Sequence, residues 1–213
     1  SLSLTANGDV YIPTLSTAQP NDVLLPQGLT SGRDITGVNL FENVRKQGAL
    51  NLDGNSWAEV HDNASLDFGT GSFTLETWVK NSYENIGSSY NVILNLGGTV
   101  GTSSTIVSAS GSILFFYGAL ASGYSAANDG SWIHIVGTYD GINATIYING
   151  VQENQAARTA IDVSNNEVKG IGRDNVVART YQDQIAQPRI YNRALTAEEV
   201  QRNYNAGKNI YTN

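Results

Sequence analysis

Cysteine and methionine are both absent from the 213 residues. Without thiols there is no disulfide framework and no thiolate metal site, so the fold must hold by packing and backbone pairing alone. The absence does not assign a compartment, because surface and virion proteins also lack cysteine. With no methionine at position 1, the chain is expected to be a processed product or a fragment of a longer one. Charge is scarce too: 15% of residues are charged, against about a quarter in an average domain. Twelve Lys and Arg face 19 Asp and Glu, a net charge of −7 with no basic cluster. Such a surface repels phosphate backbones, so no nucleic acid partner is expected. No run approaches the roughly 20 apolar residues needed to cross a bilayer, so no membrane insertion is expected either.

Several chemistries are missing as well. Retaining glycosidases need two carboxylates about 5 Å apart on one strand face, and the chain has no Glu-x-Asp-x-Glu run. Glu76 is the sole acid of its apolar run. It is expected to be a charge bonded to Trp, Tyr or Arg at a sheet edge. There are two histidines and no His-x-x-x-His spacing for zinc. His134, inside Trp132-Ile133-His134-Ile135-Val136, reads as a satisfied core or sheet-face imidazole, and His61 as solvated. Gly97-Gly98-Thr99-Val100-Gly101 lacks the lysine and following helix of a phosphate loop. No enzyme is expected.

What the chain has is short strands and turn residues. Strand candidates are Ala49–Asp53, Ala58–His61, Ser72–Lys80, Asn91–Leu96, Thr105–Ala109, Ser112–Tyr117, Trp132–Tyr139, Ala144–Asn149, Glu167–Ile171 and Gln184–Tyr191. Their regular spacing, with Gly, Asn, Asp or Ser at the junctions, predicts an all-β sandwich or barrel over residues 49–213. Asn149-Gly150 predicts a two-residue hairpin turn, with Val151 opening the return strand. Thr196-Ala197-Glu198-Glu199 is a capping box, with Leu195 and Val200 at staple positions. It predicts one short C-terminal helix near Thr196–Ala206, ended by Gly207. Residues 1–48 differ: Ser1-Leu2-Ser3-Leu4-Thr5 and Val10-Tyr11-Ile12 have strand character, followed by a stretch punctuated by Pro13, Pro20 and Pro26. This reads as an extended arm or linker.

Five segments, in order, resemble a known family. Ser72-Phe73-Thr74-Leu75-Glu76-Thr77-Trp78-Val79-Lys80 is similar to a strand of laminin-G-like jelly rolls, as is Asn51-Leu52-Asp53-Gly54 to the strand before it. Trp132 to Gly141, Ile146-Tyr147-Ile148-Asn149-Gly150 and Ile190 to Val200 resemble three later family motifs. The resemblance, to the laminin-G-like and concanavalin A-like group, spans roughly residues 49–208. It implies an antiparallel two-sheet jelly-roll sandwich, in a family of lectins, adhesins, exported glycoside-active proteins and phage structural proteins. One departure is Ala186, where the family has an Asp before its Tyr; that Asp's role is not carried over. Pro188 breaks the same strand and suits an edge or a bulge.

Loops at the sandwich rim are the expected ligand sites. Tyr83, Tyr90, Tyr124, Asn128, Asp129, Arg173, Asp174 and Tyr181 combine ring faces for stacking on sugars with groups that bond hydroxyls. No cofactor is required. A structural calcium ion is considered, because Asp53, Asp140, Asp174 and Asp183 stand near turns, with Asp53 and Asp183 the preferred ligands. The expected function is a non-catalytic module of an extracellular, cell-surface or virion-surface protein, binding glycans or a cell-surface ligand. The alternative is a structural subunit, a virion decoration protein or a filament protomer. It would self-assemble by adding Leu2, Leu4, Val10, Tyr11 and Ile12 as a strand to a neighbour.

Overall fold

A computed structural model of the chain describes residues 48–81, 91–97, 105–109, 112–115, 120–125, 130–158, 162–163, 167–174 and 179–212. The expected arm, with Leu2, Leu4, Val10, Tyr11 and Ile12, lies outside the described residues.

The described strands are β1 (Ala49–Asp53), β2 (Ala58–Val60), β3 (Phe73–Asn81), β4 (Asn91–Asn95), β5 (Thr105–Ala109), β6 (Ser112–Phe115), β7 (Leu120–Ser125), β8 (Ser131–Tyr139), β9 (Asn143–Ile148), β10 (Val151–Ala157), β11 (Lys169–Ile171) and β12 (Gln182–Tyr191). They form two six-stranded sheets, β1-β12-β3-β8-β9-β10 and β2-β11-β4-β5-β6-β7. Every described pairing is antiparallel. This is a sandwich, one of the two architectures the strand pattern predicts, and the jelly roll that the family resemblance implies. Alternation along each strand sends one set of side chains inward. Leu75 and Val79 of β3, Ile133 and Ile135 of β8, and Ile146 and Ile148 of β9 meet Ile93, Ile106, Ile113 and Phe115 of the other sheet in one buried core.

The first sheet is buried on part of its outer face as well, because a helix covers it. Helix α1 (Ala197–Tyr211) begins with the expected capping box: the Glu199 amide donates to the Thr196 hydroxyl and the Thr196 amide to the Glu199 carboxylate. Arg193 grips both Glu199 oxygens at 2.6 and 2.8 Å, and that contact holds the carboxyl down at about 2. Leu195 and Val200 then pack on Val136 and Tyr147. At the other end Trp78 is buried against Ala186 and Tyr211, with its ring stacked on Tyr204.

Three expectations need correction. The helix does not stop at Gly207 but runs on to Tyr211. A Cβ on Gly207 would lie 2.6 Å from the Trp78 Nε1, so the glycine is there for close packing and not for termination. β7 was not anticipated, since Leu120-Ala121-Ser122-Gly123-Tyr124-Ser125 has no β-branched residue. Glu76 is not at a sheet edge, because β3 lies between β12 and β8. Of the two settings expected for Pro188, an edge or a bulge, the structure shows the bulge, between Ala186 and Arg189 of this interior strand, with Gln187 at φ 48°. The Asn149-Gly150 turn is as expected: both residues have positive φ, 52° and 80°, and Val151 pairs back with Ile148.

Candidate ligand-binding site

Two polar clusters are candidates for chemistry, and burial separates them. The first surrounds Glu76 on the outer face of the helix-covered sheet. The register sets Glu76 beside Val136 and Arg189, and Trp78 beside His134. Glu76 Oε1 accepts from Arg189 at 2.5 Å and from His134 Nε2 at 3.1 Å. Oε2 accepts from the Tyr191 hydroxyl at 2.9 Å and from Asn203 of α1 at 2.8 Å. Burial pushes this carboxyl up, but His134, Arg189 and Tyr191 together outweigh burial and hold it below its ordinary value. Tyr191 is pushed up to about 12 by burial and by the Glu76 charge. A carboxylate can only accept, so His134 donates to it from Nε2, and its buried Nδ1 has no partner among the described residues. Glu76, His134 and Trp78 are fully buried. The groups resemble those of an active site, but α1 seals them from solvent. They fasten the helix to the sheet.

The second cluster lies at the rim, where the turn after β1 meets the loop between β11 and β12. Asp53 accepts from the Asn55 amide at 2.9 Å and the Ser56 hydroxyl at 2.7 Å, closing a tight turn. Those bonds, that from Ser56 first, lower its carboxyl. The turn delivers Trp57 just ahead of β2. The Trp57 ring edge is fixed by donation from Nε1 to Glu59 at 2.8 Å, and the Arg173 guanidinium lies over its face, 4.3 Å from the centroid. Arg173 is 3.4 Å from Glu59 and donates to the Asp174 carbonyl. Asp174 is buried and pairs with Arg179 at 3.3 Å. Thr180 donates to the Gly54 carbonyl, tying loop to turn. The indole is partly buried, and the side chains of Arg173 and Glu59 are 17% and 33% exposed, so part of this stack, with both donors and acceptors, reaches solvent.

The structure gathers five of the expected site residues at this end: Arg173, Asp174, Tyr181, Asp53 and Asp183. Their roles differ from one another. Tyr181 is buried, its hydroxyl donates to the Lys80 carbonyl at 2.7 Å, and burial drives it far up; no face is left for a ligand. Asp53 serves its own turn, and Asp183 accepts from the Gln184 amide at 2.8 Å. The register pairs Asp53 with Gln182 and Asp183 with Leu52, putting the two carboxylates on successive rungs. Asp140 braces a turn in the same way as Asp53, accepting from the Ile142 and Asn143 amides. Among the described residues no three His, Cys, Asp or Glu side chains are grouped to hold a metal ion. Tyr83, Tyr90, Asn128 and Asp129 lie outside the described residues; of Tyr124 only the backbone, in β7, is described. Trp57 and Glu59 were not anticipated. The signal was an aromatic residue directly after Asp53-Gly54-Asn55-Ser56, at the head of an alternating strand.

The chain belongs to the concanavalin A-like lectin/glucanases superfamily, whose laminin-G-type family model matches residues 52–201. No curated protein matches the sequence. Among solved structures, the fold is similar to the binding domain of Paraclostridial Mosquitocidal Protein 1, with a TM-score of 0.58 at 22% identity. It is also similar to the Botulinum Neurotoxin serotype G binding domain, with a TM-score of 0.53 at 21% identity. In both cases the match covers 74% of this chain and 42% of the other. The binding domain of Botulinum neurotoxin DC, solved in complex with rat synaptotagmin II, gives 0.52 at 15% identity, covering 71% and 40%. The chain thus spans about two fifths of each of these proteins. Among the described residues, no helix is long and apolar enough to cross a membrane.

Proposed function

We propose that the domain is a non-catalytic recognition module of an extracellular or surface-exposed protein, and that it binds glycans at the rim formed by Trp57, Glu59 and Arg173. The observation that carries this reading is the contrast between the two clusters. The carboxylate with acid–base partners is sealed beneath α1, and its bonded neighbours His134, Arg189, Tyr191 and Asn203 include no second carboxylate. The half-exposed indole, in contrast, is held rigid at the rim by Arg173 and Glu59. Arg173 covers one face of the indole, so a pyranose would stack on the other, with Glu59 at the ring edge to bond its hydroxyls. The fold's likeness to binding domains agrees with this reading without carrying it.

The test is a glycan microarray followed by titration calorimetry of the best hit. Trp57→Ala should weaken binding by about tenfold or more, the usual cost of losing an aromatic anchor, with the melting temperature little changed. Binding that survives Trp57→Ala moves the site elsewhere on the rim, whereas an array with no hits overturns the glycan reading. Polysaccharide hydrolysis abolished by Glu76→Gln would overturn the non-catalytic part.

A further inference from the structure

Glu59 meets both of its partners at the rim through one oxygen. Its Oε1 accepts from Trp57 Nε1 at 2.8 Å and lies 3.4 Å from the Arg173 guanidinium. Oε2 bonds to none of the described residues, and the side chain is 33% exposed. The result is an acceptor of fixed position beside the indole. Gly170 is the reason that Arg173 reaches this place. It stands opposite Glu59 in the ladder of β2 and β11, and a Cβ there would run into the Arg173 carbonyl, so only glycine lets the loop fold back over the strand. Arg173 itself is committed: its Nε donates to the Asp174 carbonyl at 2.9 Å, and its charge faces Glu59 and Trp57. Asp53 adds a second carboxylate, exposed and bonded to Ser56, the residue before Trp57. The two charged side chains nearest the indole in sequence are therefore both exposed and both negative.

Resting on the glycan reading of this rim, we infer that it selects glycans without acidic groups, and that the free Oε2 of Glu59 sets the selection. A carboxylate can only accept, so Oε2 takes a hydrogen from a sugar hydroxyl and finds none to take on a sugar carboxylate or sulfate. A hydrogen bond to a charged acceptor is about twice as strong as one between neutral groups, which gives a hydroxyl-rich ring the advantage. An acidic sugar stacked on the indole would instead set like charges side by side. Arg173, already shared between Glu59 and Trp57, has little charge left to offset them. Rejection by an unmatched charge is as much a source of specificity as attraction.

The experiment is a glycan array in which each neutral oligosaccharide stands beside its sialylated or uronate counterpart, with calorimetry of the best matched pair. The full chain should bind the neutral member about tenfold or more tightly than the acidic one, the size of one hydrogen bond to a charged group. Glu59→Gln removes the charge and puts an amide donor in place of Oε2, since the remaining oxygen is held by Trp57 Nε1. It should weaken the neutral member by about tenfold and narrow its lead over the acidic one to about threefold or less. Trp57→Ala should weaken both members alike. In the wild type, raising salt from about 50 to about 500 mM should strengthen the residual binding of the acidic member and leave the neutral one unchanged, because only the repulsion is screened. If Glu59→Gln does not fold, this salt response decides. A preference for acidic members, or a preference for neutral ones that Glu59→Gln leaves unaltered, overturns the selectivity while the glycan reading stands. An array with no hits overturns both.

Discussion

Replacing Gly207 with alanine sets two effects of opposite sign against each other. Within a helix, Gly→Ala ordinarily stabilises by about 1 kcal/mol, because alanine loses less backbone freedom on folding. Gly207 lies inside α1, so on propensity alone the variant should be more stable. At this site, however, the new Cβ would stand 2.6 Å from Trp78 Nε1 and 2.8 Å from both Cε2 and Cζ2. Ordinary contacts between such atoms lie at about 3.5–4.0 Å, so the helix or the ring must retreat by roughly 1 Å. The ring cannot retreat easily: it is fully buried and packed on Tyr204, Tyr211 and His134, at centroid distances of 5.7, 4.9 and 5.0 Å. Overpacking of this kind costs about 1–3 kcal/mol. Three contacts on a braced ring favour the upper part of that range, which leaves a net loss of about 1–2 kcal/mol after the propensity gain. For a chain of this size the melting temperature should fall by roughly 3–6 °C. Urea unfolding followed by tryptophan fluorescence and near-ultraviolet circular dichroism would measure it. Asn205→Ala, exposed on the same helix, is the control and should gain a few tenths of a kcal/mol. If Gly207→Ala matches or exceeds the wild type in stability, the close packing of α1 on Trp78 is wrong.

Thr196→Ala removes the hydroxyl that accepts from the Glu199 amide, and should cost about 1 kcal/mol in urea unfolding; a loss several times larger would mean another role for Thr196. Glu76→Gln should destabilise by about 2–4 kcal/mol at pH 7, since Arg189 then loses its buried anionic partner. Because the folded carboxyl lies below its ordinary value, its contribution is present above the usual glutamate range and fades as pH falls through the lowered value. The deficit of Glu76→Gln should therefore shrink between pH 5 and pH 3, and a deficit constant across that range would refute the assignment of an ionised Glu76.

Strands whose residues decide their own conformation were legible from sequence. β1 and β5 have the predicted limits, and β3, β4, β8 and β9 shift by a residue or so at their ends. Their branched and aromatic residues alternate or run together as buried strands require. The capping box was equally legible, because its two bonds span only four residues. Partners distant in sequence were not. Glu76 was expected to bond a Tyr or an Arg, and it does, but its position inside the sheet depends on β12, more than 100 residues away. Gly207 reads as a stop signal until Trp78 is seen beneath it. β10 is largely polar and pairs with β9 on one side, so little beyond the Asn149-Gly150 turn announced it. At the rim, Arg173 and Asp174 were legible as loop residues, whereas the ring that Arg173 covers depends on the meeting of two loops far apart in the chain.

The pairing of β1 with β12 has a kinetic consequence. Ala49 faces Ala186 and Asp53 faces Gln182, so this ladder closes across about 130 residues of intervening chain. β3 also sits beside β12, and its partner on the other side, β8, is itself some 50 residues distant. A sheet assembled from such remote segments has a high contact order, and loop-closure entropy must be met before its ladders reward it. Among the described strands the interior strand β12 leaves a ribosome last, and until then β1 and one side of β3 lack the neighbour this ladder gives them. Refolding from urea should accordingly fall in the millisecond-to-second range typical of sandwiches. Until β12 docks, the nascent chain exposes open strand edges that invite association with other chains.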